Sequence, residues 1–158
     1  MKSVNKEFKF NNFVKKLILL KKDGLCIGFT NGCFDLLHEG HLYSISEAKK
    51  KCDYLIIGLN SDTSVTKLKG INRPVDNQAN RILKLSKLDN VDAVIVFYDN
   101  TPLKLIKGIK PDILFKGIDY KDKEIVGSKF VKENGGKVEL IDFLDNYSTS
   151  NLIKNSSL

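Results

Sequence analysis

Two histidines, His38 and His41, are the only two in the sequence, and they stand three residues apart with Gly40 between them. Residues at positions i and i+3 share one face of a helix, and a helix start presents unpaired backbone N–H groups that attract anions. Gly40 lets a phosphate approach the backbone closely. Two imidazoles at such a place can donate hydrogen bonds to phosphoryl oxygens, so the spacing indicates a phosphate-handling site.

The residues alone leave three other interpretations of the histidine pair. Zinc hydrolases place two histidines at i and i+4 with a glutamate directly after the first. Here the spacing is i+3 and no third ligand is evident, so we expect no metal ligand from the protein. General acid–base hydrolysis stays open. The last interpretation is two capping or surface histidines, and the pairing, the glycine and the position after a predicted strand all favour phosphate binding over it.

The elements that must position these histidines alternate between short apolar strands and amphipathic helices. Continuous runs of Val, Ile and Leu are typical of strands that are covered on both faces. We therefore predict a single domain over residues 1–158, an α/β Rossmann-like fold with a doubly wound, parallel, five-stranded sheet and helices on both faces. Ligands of such sheets bind beyond the carboxyl ends of the strands. The predicted strands are Leu25–Thr30, Tyr54–Leu59, Ala93–Phe97, Ile113–Lys116 and Val138–Ile141, and the predicted helices are Phe10–Leu20, His41–Lys51, Ala79–Leu88, Pro102–Lys107, Glu124–Glu133 and one after Ser150.

Composition restricts the class of partner. The 158 residues carry a net charge of +7, which favours an anionic partner, either nucleic acid or a small phosphorylated ligand. The lysines are spread along the chain without interleaved aromatic residues, so we expect small phosphate ligands and no nucleic acid. Without an apolar run of ~20 residues or a signal peptide, we predict a cytoplasmic protein with no membrane partner. Three cysteines without a CxxC pair argue against disulfides and zinc.

The segment Thr30–His41, TNGCFDLLHEGH, resembles the signature of the cytidylyltransferase-type nucleotidyltransferases, whose core element is HxGH after the first strand. Gly32, Phe34 and Asp35 match the residues that precede HxGH in that family. The segments GLNSDTSVTKLKG, NRILKLSKLDNVDAVIVF and IVGSKFVKENGGKVELIDF resemble, within the family, the adenylyltransferases that activate D-glycero-β-D-manno-heptose 1-phosphate. The resemblance runs from about Gly24 to Lys154 and leaves residues 1–23 as an N-terminal helical extension.

This resemblance implies transfer of a nucleoside monophosphate from an NTP, here ATP, to a sugar 1-phosphate, with release of pyrophosphate. It also implies Mg²⁺ bound mainly through the NTP phosphates, a homodimer, and a stand-alone enzyme that works beside a separate heptose kinase. The attacking phosphate oxygen is already anionic, so catalysis would consist of positioning and electrostatic stabilisation. Two alternatives remain: a cytidylyltransferase for glycerol 3-phosphate or another alcohol phosphate, and a non-catalytic nucleotide-binding module.

Carried over residue by residue, the resemblance assigns three sets of residues. Catalysis falls to His38, His41 and Lys67. Ile118 and Asn151 depart from patterns within the family. For two of the assigned residues the sequence alone leaves an alternative open: a loop-orienting role for Asp35, and a surface ion pair for Arg81. The implied nucleotide contacts are Thr30, Asn31, Gly32, Cys33, Phe34, His38, Gly40, His41, Lys116, Gly117, Asp119, Ser148, Thr149 and Ser150. The implied substrate or phosphate contacts are Asp35, Asn60, Lys67, Lys69, Arg73 and Arg81.

Overall fold

Five short apolar segments form a parallel sheet, and helices cover both of its faces. The computed structural model describes residues 6–143. The strands are β1 (Ile27–Gly32), β2 (Tyr54–Asn60), β3 (Ala93–Phe97), β4 (Ile113–Gly117) and β5 (Lys137–Ile141). The α-helices are α1 (Phe10–Lys22), α2 (Glu39–Lys49), α3 (Asp62–Lys69), α4 (Gln78–Ser86), α5 (Leu103–Ile109) and α6 (Ser128–Glu133), and a 3₁₀ helix spans Ile118–Tyr120.

The strand order is β3-β2-β1-β4-β5, and every neighbouring pair is parallel. The chain therefore builds outward from β1 in one direction through β3 and then returns to the other side of β1 with β4. In sheets of this kind, ligands bind at the carboxyl edge where the strand order reverses. The predicted α/β doubly wound fold is confirmed, and the histidine pair follows the strand at the reversal.

Two apolar clusters cover the two faces of the sheet. Phe29 and Ile56 belong to the cluster under α1 and α5. Ile57 and Phe115 belong to the cluster under α2 and α4. Because successive residues of a strand point to opposite faces, the side chains at the end of β1 leave the sheet on different sides.

The N-terminal segment contributes to the first of these clusters. Phe13 and Leu17 of α1 are buried, and the Phe13 ring stacks on Tyr54 with centroids 6.1 Å apart. Ahead of the helix, the Phe8 N–H donates to the Val94 carbonyl at 2.9 Å, so this segment runs alongside β3. Helix α1 therefore packs against the strands that carry the site.

Most element boundaries differ from the sequence prediction by one or two residues, and two helices differ by more. Helix α3 was not predicted, because its polar sequence DTSVTKLK shows no apolar stripe; the Ser61 hydroxyl caps it by accepting the Ser64 N–H at 3.1 Å. Helix α6 begins at Ser128 rather than Glu124, since Gly127 adopts a left-handed φ of 86°. The helix predicted after Ser150 lies outside the described residues.

Within residues 6–143, no helix is both long enough and apolar enough to cross a bilayer.

Candidate active site

The loop after β1 turns directly into α2 and places both histidines at the helix start. His38 is the N-cap residue, and its Nδ1 accepts the Gly40 N–H at 3.0 Å. His41 Nδ1 accepts the His38 N–H at 3.3 Å. The two imidazole rings stack with their centroids 3.9 Å apart. The pair thus forms a reciprocal cap, similar to a capping box, and the first turn of α2 fixes its geometry.

The hydrogen bonds of the two rings define their protonation. In a neutral imidazole, a nitrogen that accepts a hydrogen bond leaves the proton on the other nitrogen, here Nε2. Burial and the neighbouring His38 and Lys69 lower the pKa of His41 to about 4. Burial also lowers the pKa of His38. Both rings are therefore neutral near pH 7 and carry their proton on Nε2, where it can be donated to a phosphoryl oxygen.

The backbone ahead of the histidines is held in an uncommon conformation. Phe34 and Leu36 have φ values of 47° and 54°, in the left-handed region that residues other than glycine rarely occupy. The Phe34 ring packs against His41 with centroids 5.4 Å apart. Gly32 gives that ring room, since a Cβ at this position would lie 3.1 Å from it. Such a conformation persists only where surrounding contacts fix it.

Asp35 provides one of those contacts. Its buried carboxylate accepts hydrogen bonds from Arg73 Nε at 2.8 Å and from the N–H groups of Val75 and Asp76 at 2.9 Å. Burial alone would raise the pKa of Asp35, but the backbone and Arg73 hydrogen bonds lower it overall. Asp35 therefore fixes the loop after β1 to the connection between α3 and α4, which is the loop-orienting role left open for it, and a substrate contact by Asp35 stays a prediction.

Arg81 also acts within the protein. Its side chain is fully buried, and Nη1 donates to the carbonyls of Cys33 and Asn60, both at 2.8 Å. Nε donates to the Asp76 carbonyl at 3.0 Å, and Nη2 pairs with Asp62 Oδ1 at 2.8 Å. The guanidinium ties three segments around the site together and is not at the surface, so the interpretation as a surface ion pair is wrong. A phosphate contact by Arg81 stays a prediction.

The two lysines of α3 differ in their relation to the histidines. The charge of Lys69 lowers the pKa of His41, and it opposes the rise that burial causes in the pKa of Cys33. Lys67 lies two residues earlier, about 200° around the helix, and so faces a different direction. The geometry therefore favours Lys69 over Lys67 as the cation of the site and gives no support to the predicted catalytic role of Lys67.

The end of β4 lies beside the end of β1, at the carboxyl edge of the sheet where the loop with the histidines begins. Burial lowers the pKa of Lys116, whose Nζ lies 4.9 Å from the centroid of the Tyr120 ring. Gly117 makes room for Asp119, since a Cβ at this position would lie 2.6 Å from the Asp119 carboxylate. A small cavity of about 40 Å³ connects this strand end to the loop after β1. Four predicted nucleotide contacts border it: Thr30, Phe34, Lys116 and Gly117.

The remaining predicted contacts have different placements. Asn31 and Asn60 lie at the carboxyl ends of β1 and β2. Ser148, Thr149 and Ser150 lie outside the described residues, so a second anion site there stays a prediction. The sequence analysis missed Asp62 and Asp76, which bind Arg81, because Asp62 lies 19 residues away and Asp76 binds through its backbone carbonyl, and neither feature leaves a spacing signal.

Metal ligation by the protein has little support in the described part of the chain. Within residues 6–143, no three His, Cys, Asp or Glu side chains converge on one point. Both oxygens of Asp35, in the loop that leads to the histidines, already accept protein hydrogen bonds. A Mg²⁺ ion that arrives with a triphosphate needs only one or two protein carboxylates and keeps several waters. The donor set therefore fits a cation bound chiefly through the nucleotide.

Comparison with known proteins decides the family. The model of the family described as cytidylyltransferase-like matches residues 29–155. This chain belongs to the cytidylyltransferase-like family. Membership confirms the predicted resemblance and makes the chain a nucleotidyltransferase domain.

Curated relatives agree with this assignment. The Bifunctional protein HldE of Campylobacter fetus subsp. fetus is 51% identical over 155 residues, which cover 94% of this chain and 33% of that protein. The Bifunctional protein HldE of Caulobacter vibrioides is 53% identical over 130 residues, which cover 82% of this chain and 27% of that protein. The chain therefore spans about a third or less of the length of these relatives.

Solved structures show the same fold. A lipopolysaccharide core biosynthesis protein from Thermoplasma volcanium GSS1 aligns with a TM-score of 0.64 and 27% identity, over 79% of this chain and 100% of that chain. A pantoate-beta-alanine ligase from Francisella tularensis aligns with a TM-score of 0.65 and 18% identity, over 98% of this chain and 77% of that chain. The second similarity concerns the fold alone.

Proposed function

We propose that this domain transfers the adenylyl group of ATP to a heptose 1-phosphate and releases pyrophosphate. The observation that carries the proposal is the reciprocal cap of His38 and His41, which holds two neutral imidazoles at a helix start beyond β1. Sequence resemblance to heptose 1-phosphate adenylyltransferases supports the acceptor and the base. Similarity to a protein of lipopolysaccharide core biosynthesis supports a sugar acceptor.

The reaction needs little covalent chemistry from the protein. A phosphate oxygen of the acceptor attacks the α-phosphorus of ATP, the bond from that phosphorus to the β-phosphate bridging oxygen breaks, and pyrophosphate leaves. The nucleophile is already anionic, so the enzyme has to align two anions and stabilise the charge that moves to the leaving group. Nε2–H donors of His38 and His41 and the N-terminus of α2 supply that stabilisation in our proposal.

Charge neutralisation falls to side chains around the cleft. Lys69 approaches from α3 and Lys116 from β4, and both lie within electrostatic range of Cys33 in the loop after β1. Mg²⁺, when bound with the triphosphate, would screen its charge and help the leaving group depart. Both substrates are soluble cellular metabolites, so we place the reaction in the cytoplasm.

A pyrophosphate-release assay tests the proposal. The four NTPs are crossed with heptose 1-phosphates, other hexose 1-phosphates and glycerol 3-phosphate. We expect release that requires both substrates and is fastest with ATP and a heptose 1-phosphate. Release with CTP and glycerol 3-phosphate would instead identify an alcohol-phosphate cytidylyltransferase, and release from NTP alone would identify a hydrolase.

A further inference from the structure

A second set of polar side chains lies at the carboxyl edge of the sheet, on the face away from the histidines. Strand alternation places Asn31 on the same face as Phe29, and Asn60 on the same face as Ile56. Phe29 and Ile56 belong to the cluster under α1 and α5, whereas α2 packs on the opposite cluster. The neighbouring strand agrees, since a Cβ at Gly58 would lie 2.5 Å from the Phe29 ring and 3.4 Å from Asn31 Cβ.

The Asn31 carboxamide has an acceptor that none of the described residues uses. Its Oδ1 is buried, and no residue in the described part of the chain donates a hydrogen bond to it. A buried acceptor without a donor costs free energy, so natural proteins retain few of them. On the adjacent strand, Asn60 is 4% exposed and donates from Nδ2 to Ser64 Oγ at 2.6 Å. Carboxamides both donate and accept, which suits them to binding hydroxyl groups.

The geometry of phosphoryl transfer gives this face a role. The attacking and leaving oxygens lie on opposite sides of the phosphorus. In the proposed reaction the nucleotide lies over the histidines at the start of α2, and on that side of the sheet Thr30 borders the small cavity. The acceptor therefore approaches from the other side, which is the side of Asn31, the next residue along the strand.

We infer that Asn31, together with Asn60, binds hydroxyl groups of the acceptor, so that this edge selects polyhydroxylated phosphate esters. The inference rests on the proposed function and deepens it. It moves Asn31 from the nucleotide contacts to the acceptor contacts. An acceptor that lacks the hydroxyl groups leaves the carboxamides unpaired, and a site built in this way discriminates strongly against such analogues.

Steady-state kinetics of two variants from consecutive positions test the inference. We expect Asn31→Leu to raise the KM for heptose 1-phosphate about tenfold, the scale of one lost hydrogen bond, while the KM for ATP stays within about twofold. Thr30→Val, the matched change on the opposite face, should raise the KM for ATP more than the KM for the sugar phosphate. The Tm of Asn31→Leu should equal or exceed that of the wild type, because Asn31 Oδ1 accepts from no donor within residues 6–143.

The possible failures are distinguishable. The inference is overturned if Asn31→Leu raises both KM values equally or changes neither. The proposed function still holds in that case, provided that the wild type shows turnover that depends on the acceptor. A lowered Tm together with a raised KM for ATP assigns Asn31 a structural role and also overturns the inference. A wild-type protein that releases no pyrophosphate with any sugar 1-phosphate overturns the proposed function, and the inference with it.

Discussion

The middle and the C-terminal end of the Thr30–His41 segment use their polar groups in opposite ways. Near the middle, the Asp35 carboxylate receives three protein hydrogen bonds, and the Cys33 carbonyl is held by the buried Arg81. At the end, His38 and His41 bond to the backbone through Nδ1 and carry their proton on Nε2. The comparison teaches that buried groups saturated by the protein position the loop, whereas half-buried rings at a helix start are suited to the ligand.

Replacement of Arg81 should have the largest effect on stability. Arg81→Met leaves three backbone carbonyls and the Asp62 carboxylate without their donor, so we expect the free energy of unfolding to fall by about 3–5 kcal/mol. Urea unfolding measures this loss. Lys84→Met is the matched control on the same helix, because its exposed pair with Asp76 should contribute under ~1 kcal/mol. If Arg81→Met were as stable as the wild type but had a greatly raised KM for ATP, the result would support the predicted phosphate contact of Arg81.

The stability of the protein should depend on pH through His41. Its pKa is about 4 in the folded protein and 6.5 ordinarily, so the unfolded chain takes up a proton first as pH falls. The contribution is complete above pH 6.5 and is lost as pH falls from 6.5 towards 4, by up to about 3 kcal/mol. Urea unfolding at several pH values measures it, and His41→Gln should remove that share of the slope. An unchanged slope in the variant would contradict the assigned pKa.

Loss of the His41 ring should separate catalysis from folding. His41→Ala removes one transition-state donor, so we expect turnover to fall by ~10²-fold or more. His38→Ala should lower turnover to a similar extent, and because each ring accepts one backbone N–H of the reciprocal cap, either change should also weaken the cap of α2 by about 1 kcal/mol. Pyrophosphate release and urea unfolding on the same preparations measure both quantities. Near-normal turnover in His41→Ala would contradict the proposal that the His41 ring acts on the ligand rather than only positioning the loop.

The smallest expected difference separates the two lysines of α3. Lys69→Met removes a charge that acts on His41 and Cys33, so we expect kcat/KM to fall about fivefold, the scale of an exposed charge contact. Lys67→Met is the matched control and should change kcat/KM by less than about twofold. A larger fall in kcat/KM for Lys67→Met than for Lys69→Met would support the predicted catalytic role of Lys67.

The sequence could predict whatever depends on local pattern. Apolar runs predicted all five strands, and the spacing of His38, Gly40 and His41 located the histidine site at a helix start, because these features involve near neighbours in the chain. The hydrogen bonds of Arg81 and Asp35 could not be predicted, since all of their partners except Asp76, which binds Arg81, lie 19 to 48 residues away and only the folded sheet edge brings them together. Helix α3 was not predicted for a local reason, because its largely polar sequence shows no apolar stripe.

Identification of the products tests the central claim most directly. The wild-type protein is incubated with ATP, Mg²⁺ and D-glycero-β-D-manno-heptose 1-phosphate, and ³¹P NMR follows every phosphorus. We predict that the two substrates disappear together and that ADP-heptose and pyrophosphate appear in equal amounts, with no reaction when the sugar phosphate is omitted. Formation of AMP with pyrophosphate, or of ADP with inorganic phosphate, without consumption of the sugar phosphate would contradict the account.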